Sequence, residues 1–224
     1  LLRANSAVAA EEIPVWSGLV ADEATCAAAR ALRRAHGWGD DEIVLLYSGN
    51  MGRAHRIEEF AVMAEAMREL SPRCRFVFAG TGPARTEWER RRSGLFEFLP
   101  PAPDSACAAH LLAADIHLIS QREEWMGIVV PSKFQAACAL GRPVVFAGPR
   151  DCSVGRWVAA ADAGWLLPPN DSAALAATVA GVRDSRCRAE KGAAALRLFG
   201  QKFTRAENCG RLAALVERLA EKRP

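Results

Sequence analysis

Six short apolar runs, separated by stretches with helical spacing, constrain the fold of this 224-residue chain more than any other feature. The runs are IVLLYSG (43–49), RFVFAG (75–80), LFEFLP (95–100), IHLIS (116–120), PVVFAG (143–148) and GWLLPP (164–169). Most of them end at Gly or Pro. A strand with one solvated face alternates apolar and polar residues, whereas a strand covered on both faces reads as a nearly continuous apolar run. Between the first two runs, Ile57, Phe60, Met63, Ala64, Met67 and Leu70 recur at three and four residues, which puts one apolar stripe on a helix. Six such strands with five intervening helical segments predict an α/β fold with a doubly wound, six-stranded parallel sheet of Rossmann-like type. Ligands then sit in the crevice beyond the carboxyl ends of the strands.

The flanks are helical. A helix is expected over about 22–36 after an irregular lead-in, and Asp171 is placed to cap a helix over 172–183. Thr204 and Glu207 have the spacing of a capping box that opens a last helix, with Leu212, Leu215, Val216 and Leu219 on one side. This divides the chain into a lead-in with its first helix (1–40) and the Rossmann-like domain with C-terminal helices (41–224). The 29 basic and 26 acidic residues leave a net charge of only +3, which argues against a nucleic-acid partner. No apolar run approaches the roughly 20 residues that span a bilayer, and no signal peptide is visible. Seven cysteines without a C-x-x-C pair are expected to be reduced thiols in the cytoplasm. Beginning at Leu1 without a methionine, the chain is expected to be part of a longer product.

Chemistry concentrates at three glycine-rich or polar junctions. SGNMG (48–52) joins a strand to a predicted helix, where Gly49 and Gly52 let backbone approach a ligand and Asn50, Met51 and Arg53 lie in the same turn. It matches neither the dinucleotide fingerprint nor a Walker A loop. Arg56, expected just inside that helix, can meet a phosphate with two parallel bonds; its competing reading is a salt bridge to Glu58 or Glu59. FAGTGP (78–83) repeats the strand-to-turn pattern with Gly80, Thr81 and Gly82. The third junction places Ser132 and Lys133 at a helix opening, where a cation opposes the helix dipole unless an anion or a carboxylate answers it. Three openings on one sheet edge, two of them carrying cations, suggest a diphosphate. The four histidines show no ligand spacing, and no metal site is expected.

Taken in order, YSGNMG with Arg56, FVFAGTGP, FEFLP, LLAADIHLIS, PSKF and GRPVV resemble the C-terminal, nucleotide-sugar-binding domain of GT-B glycosyltransferases of the large retaining family four, chiefly over residues 40–170. The resemblance implies a metal-independent transferase, hexosyl or related. It would take a UDP-, GDP- or other nucleoside-diphosphate sugar and pass the sugar to a glycan or lipid-linked acceptor in bacterial surface polysaccharide biosynthesis. It implies Arg56 and Lys133 as the catalytic cations, and Gly49, Asn50, Met51, Gly52, Arg53, Gly80, Thr81, Gly82 and Ser132 around the diphosphate. Phe98, Leu99 and Pro100 would meet the base through their backbone, and Glu124, Trp125, Met126 and Gly127 the sugar. An N-terminal acceptor domain of the same gene product is the implied partner, so this chain alone is expected to be inactive, at the cytoplasmic side of the inner membrane through that domain. Two departures stand out: Asn50 replaces a family arginine, and Ala136 replaces the glutamate that holds the ribose. They keep open a non-catalytic nucleotide-sugar-binding or scaffold domain, or a GT-B epimerase relative.

Overall fold

A computed structural model describes residues 11–92 and 94–221. The six apolar runs form strands β1 (Ile43–Ser48), β2 (Cys74–Ala79), β3 (Glu97–Leu99), β4 (Ile116–Ser120), β5 (Val144–Ala147) and β6 (Gly164–Leu166). All pair in parallel, in the order β3-β2-β1-β4-β5-β6. The helices are α1 (Glu23–Ala35), α2 (Glu58–Met67), α3 (Arg85–Arg92), α4 (Cys107–Leu112), α5 (Lys133–Ala139), α6 (Ser153–Ala161), α7 (Ser172–Arg183), α8 (Ser185–Lys202) and α9 (Arg205–Glu221).

Double burial explains the continuous apolar runs. Ile43, Leu45 and Tyr47 of β1 join Phe60, Met63 and Met67 of α2 in one cluster. Val44 and Leu46, on the other face of the same strand, join Ala29 of α1 and Leu111 and Leu112 of α4. Likewise Val145 and Ala147 face the first cluster, while Val144 and Phe146 pack with Phe134 of α5 and Leu198 of α8. Each large side chain buried in this way contributes about 1.5–3 kcal/mol. Helix α1 belongs to this packing, so the first helix is a flank of the sheet. No helix among the described residues is long and apolar enough to cross a membrane.

The caps follow the sequence. Asp22 accepts from Thr25 N and Asp171 from Ala174 N, both at 2.8 Å, and Thr204 Oγ1 accepts from Glu207 N at 3.3 Å. Helix α8 went unpredicted; its signal was Asp184, whose carboxylate accepts from Arg186 N and Cys187 N. One boundary differs in a way that matters for function. Helix α2 starts at Glu58, so Arg56 precedes it and does not lie inside it. The intervening residues are tied to β4: Ser120 O pairs with His55 Nδ1 at 2.7 Å, and Ser120 Oγ accepts from Arg56 N at 3.2 Å. Those bonds keep the backbone out of the helix until past Arg56, and Ile57 forms the N-cap.

Because β1 is flanked by β2 and β4, the winding direction reverses between β1 and β4, where such sheets open a crevice. The β1–α2 loop and the loop after β4 meet there. Arg122 N donates to Ala54 O (2.8 Å) and Arg122 Nε to His55 O (3.0 Å).

Candidate functional site

The glycine turns after β1 and β2 are laced together by their own backbone. Gly49 N donates to Ala79 O (2.8 Å), Met51 N to Thr81 O (2.7 Å), Ala84 N to Met51 O (3.0 Å) and Gly80 N to Leu99 O (3.2 Å). The N–H groups of Gly49, Met51 and Gly80 are thereby spent within the protein. Those of Asn50, Gly52, Arg53 and Ala54 have no backbone partner among the described residues. Two glycines are required by the fit. Gly80, at φ +138°, would place a Cβ 2.1 Å from Gly49 O, and Gly49, at φ +125°, would place one 2.8 Å from Lys133 Cε. Gly49 therefore leaves room for the lysine stem.

Lys133 is the central residue of this crevice. It opens α5, and its ammonium lies 4.8 Å from the centroid of the Tyr47 ring. Tyr47 is fully buried, and its hydroxyl donates to Asn50 O at 2.8 Å, fixing the ring beneath the turn. Burial lowers the Lys133 pKa from 10.5 to about 8, and no carboxylate among the described residues offsets it. His55 meets the same ring edge-on at 5.8 Å, and burial, then the Lys133 charge, push its pKa down to about 4. With Ser120 O able only to accept, His55 donates from Nδ1 and is neutral at pH 7. Beside Lys133 opens a cavity of about 250 Å³ between α4 and α5, whose walls include Ser48, Gly49, Leu111, Ser132 and Ala136. A half-buried ammonium without a counter-ion among the described residues, at the wall of a cavity on the ligand edge of the sheet, is suited to an anion.

Arg56 faces elsewhere. Its Nη2 stands 2.5 Å from Glu59 Oε1 and its Nε 3.6 Å from Glu58 Oε2. The salt-bridge reading of Arg56 therefore describes this structure. Glu59 is only 7% exposed, and burial raises its pKa despite the guanidinium. The pair is incomplete: Arg56 Nε and Glu59 Oε2 are both buried without a hydrogen-bond partner. Both residues line two adjoining cavities of about 400 and 300 Å³ that also share Pro168 and Pro169. The structure thus does not bring Arg56 and Lys133 to one cavity.

The remaining sequence candidates divide. Ser132 lines the Lys133 cavity, and Asn50 and Gly52 lie in the turn above it. Arg53 and Thr81 are exposed nearby. Arg85 Nη1 donates to Gly80 O and, at 2.7 Å, to Leu99 O, so the Leu99 carbonyl is already occupied twice. Phe98 stacks into the Phe78 and Phe96 cluster at 5.7 and 6.3 Å, and Pro100 is exposed at the strand end. Glu124, Met126 and Gly127 are exposed and Trp125 half-buried on a 3-10 turn, outside the three cavities; Glu123 is the acid of this loop that lines one. Sequence reasoning missed Tyr47 and Ser120, and named Glu59 only as a competing partner for Arg56. Tyr47 offered one signal, being the only tyrosine in the chain.

Comparison with known proteins bears on this geometry. Residues 42–184 match the family model described as glycosyl transferases group 1. A glycosyl transferase of Escherichia coli (strain K12) assigned to colanic acid biosynthesis, WcaI, is 31% identical over 140 residues, 60% of this chain and 34% of that protein. The match thus spans about a third of the relative's length. Among solved structures, a sucrose-phosphate synthase from Thermosynechococcus elongatus has a TM-score of 0.70 at 19% identity, covering 94% of this chain and 53% of that one. The HepE protein of Anabaena in complex with UDP-glucose has a TM-score of 0.63 at 16% identity, covering 89% and 56%. At such identities these structures share the fold.

Proposed function

Since the chain belongs to the glycosyl transferases group 1 family, we propose that it is the donor-binding part of a glycosyltransferase that holds a nucleoside-diphosphate sugar at the β1–β4 crevice. One observation supports the reading above the others: Lys133 is half-buried, has no carboxylate partner among the described residues, and lines a cavity on the ligand edge of the sheet. A diphosphate there supplies the missing counter-charge. In transfer, the bond between the sugar anomeric carbon and the diphosphate oxygen breaks, and its electron pair leaves with the nucleotide. A new bond forms to the acceptor oxygen, which loses its proton. Lys133 and the free N–H groups of the 50–54 turn oppose the charge gathering on the diphosphate, lowering the barrier.

The nucleoside is assigned to the cavity between α4 and α5. There Ala136 leaves space where the family resemblance places a ribose-holding glutamate, so the ribose must find other partners. Arg56 reaches the diphosphate only by leaving Glu59. The bacterial polysaccharide acceptor, the N-terminal domain that binds it, the cytoplasmic setting and metal independence belong to the same proposal. HepE, with UDP-glucose bound, supports a nucleotide-sugar donor. Binding without transfer is the second reading, favoured by Asn50 and Ala136.

Calorimetric titration of the chain with UDP, GDP and ADP tests the proposal, in buffer with and without EDTA. High-micromolar affinity for one of them, about 5 to 6 kcal/mol, unaltered by EDTA, is expected. No heat and no thermal shift with any nucleotide sinks it. Turnover of a nucleotide sugar by this chain alone would contradict the assignment of the acceptor to another domain.

A further inference from the structure

The two cavities that share Arg56, Glu59, Pro168 and Pro169 form a second groove, beyond the carboxyl ends of β4, β5 and β6 and apart from the Lys133 cavity. Its chemistry is unlike that of a phosphate site. Five carboxylates, on Glu58, Glu59, Glu123, Asp151 and Asp171, face two guanidiniums, on Arg56 and Arg150. An anion is repelled by this excess of negative charge. Val62, Leu167 and Leu175 add apolar wall, which a small inorganic cation does not use.

An independent observation points to a ligand that both donates and accepts hydrogen bonds. Glu59 is more than nine-tenths buried, lines both cavities, and has an unpartnered acceptor, Oε2. Its ion-pair partner Arg56 has an unpartnered donor, Nε–H. A buried polar atom without a partner costs about 1–3 kcal/mol, and here a donor and an acceptor are left over on one pair. A hydroxyl group carries both complements, an acceptor for Nε–H and a donor for Oε2, and reaches these buried atoms once the partly exposed Arg56 side chain shifts. A pyranose presents several hydroxyls on a ring whose C–H face suits proline and leucine.

We propose that this groove binds a neutral pyranose unit, with Glu59 and Arg56 as its central hydrogen-bonding pair and the wall formed by Val62, Leu167 and Pro168 against its apolar face. The inference rests on the transferase reading. It goes further by giving this domain a sugar subsite of its own, apart from the Lys133 cavity and from the 124–127 loop, and by placing Arg56 there. The unit belongs either to the donor's own glycosyl group or to the part of an acceptor glycan that reaches this face from the N-terminal domain that binds it.

Amide NMR on the isotope-labelled full chain distinguishes these sources and tests the subsite. The probes are UDP, UDP-glucose, UDP-galactose, and the methyl glycosides of glucose, galactose, mannose and fucose, the glycosides being added with and without saturating UDP. An acceptor subsite gives saturable shifts at Arg56, Glu59, Leu167 and Asn170 with at least one glycoside in UDP-saturated protein. A donor subsite gives those shifts with a UDP-sugar, beyond those from UDP, and not with free glycosides. In both cases Val62→Trp, which fills the groove from its rim, abolishes them while UDP shifts at Gly49 and Lys133 persist. Absence of groove shifts with every sugar probe, or their persistence in Val62→Trp, overturns the inference. Absence of UDP shifts at Gly49 and Lys133 counts instead against the proposed function, and the glycosides still report on the groove.

Discussion

Replacing Lys133 by Met removes the ammonium and keeps most of the stem against Gly49 and Tyr47. The pKa of about 8, against 10.5 for an ordinary lysine, means that holding the proton in the folded state costs about 3 kcal/mol below pH 8. The sign follows from a folded pKa lying below the unfolded one. The penalty is present in full below about pH 8 and is relieved as the pH rises from 8 towards 10.5. Loss of the cation–π contact with Tyr47 returns about 0.5–2 kcal/mol. The unliganded Lys133→Met protein should therefore be more stable than the parent at pH 7 by about 1–2 kcal/mol. At roughly 2–4 °C per kcal/mol for a chain of this size, the melting temperature rises by a few degrees. The advantage should shrink in melts repeated at pH 9.5. Nucleotide affinity should move the opposite way, falling by about 1.5–3 kcal/mol, the worth of a charge-assisted hydrogen bond. Parental affinity should also weaken as the pH passes through 8. Thermal melts and UDP titrations on the same preparations check both. A variant that melts lower and binds UDP unchanged would mean that Lys133 is structural, and the reasoning from its missing counter-ion would fail.

Other outcomes follow from particular contacts. Arg56→Met strands the Glu59 carboxylate and should cost about 2–4 kcal/mol in urea unfolding at pH 7. Glu59 already has a raised pKa, so this deficit should diminish as the pH falls and the carboxyl takes up a proton; a deficit independent of pH argues against Glu59 as the cause. The double variant Arg56→Met with Glu59→Gln should recover at least about 1 kcal/mol over the single change, and simple additivity would show that the pair is not coupled. Gly80→Ala drives a Cβ against Gly49 O and should cost more than about 4 kcal/mol or prevent folding, whereas Gly200→Ala, with open space within helix α8, should gain up to about 1 kcal/mol. Equal melting temperatures for the two would refute the lacing of the glycine turns. Tyr47→Phe removes the bond to Asn50 O and should cost about 1 kcal/mol, read by the same unfolding curves.

The sheet was legible because double burial leaves a mark that needs no partner to interpret. Every residue of β1 except its last is buried, so the strand reads as apolar whatever covers it. The strand order was not legible at that level. The sequence carries no sign that β1 lies between β2 and β4, yet that adjacency brings Ser120 against His55 and Arg56. The misplaced start of helix α2 has the same origin. The spacing of Ile57, Phe60, Met63 and Met67 reports the buried face correctly, but the entry point is decided by tertiary bonds from Ser120.

The two candidate cations show why the site was only half legible. Both lie next to carboxylates in sequence: Arg56 has Glu58 and Glu59 two and three residues on, and Lys133 has Glu124 and Glu123 nine and ten residues back. The start of the helix decides the first case: α2 begins at Glu58, and the Arg56 side chain reaches Glu59 on its first turn from just before the N-cap. Nothing comparable binds the second. Glu123 and Glu124 sit on their own 3-10 turn, Glu124 exposed and Glu123 at the wall of the other groove, while the Lys133 stem runs past Gly49 to the Tyr47 ring. A cation paired with the first turn of the helix that follows it loses freedom to serve a ligand unless the pair opens. A cation left unpaired by the loop before it, offset only in part by the Tyr47 ring, keeps its charge for an anion entering the cavity. The sequence therefore leaves a salt-bridge reading open for both Arg56 and Lys133, and the placement of their carboxylates separates them.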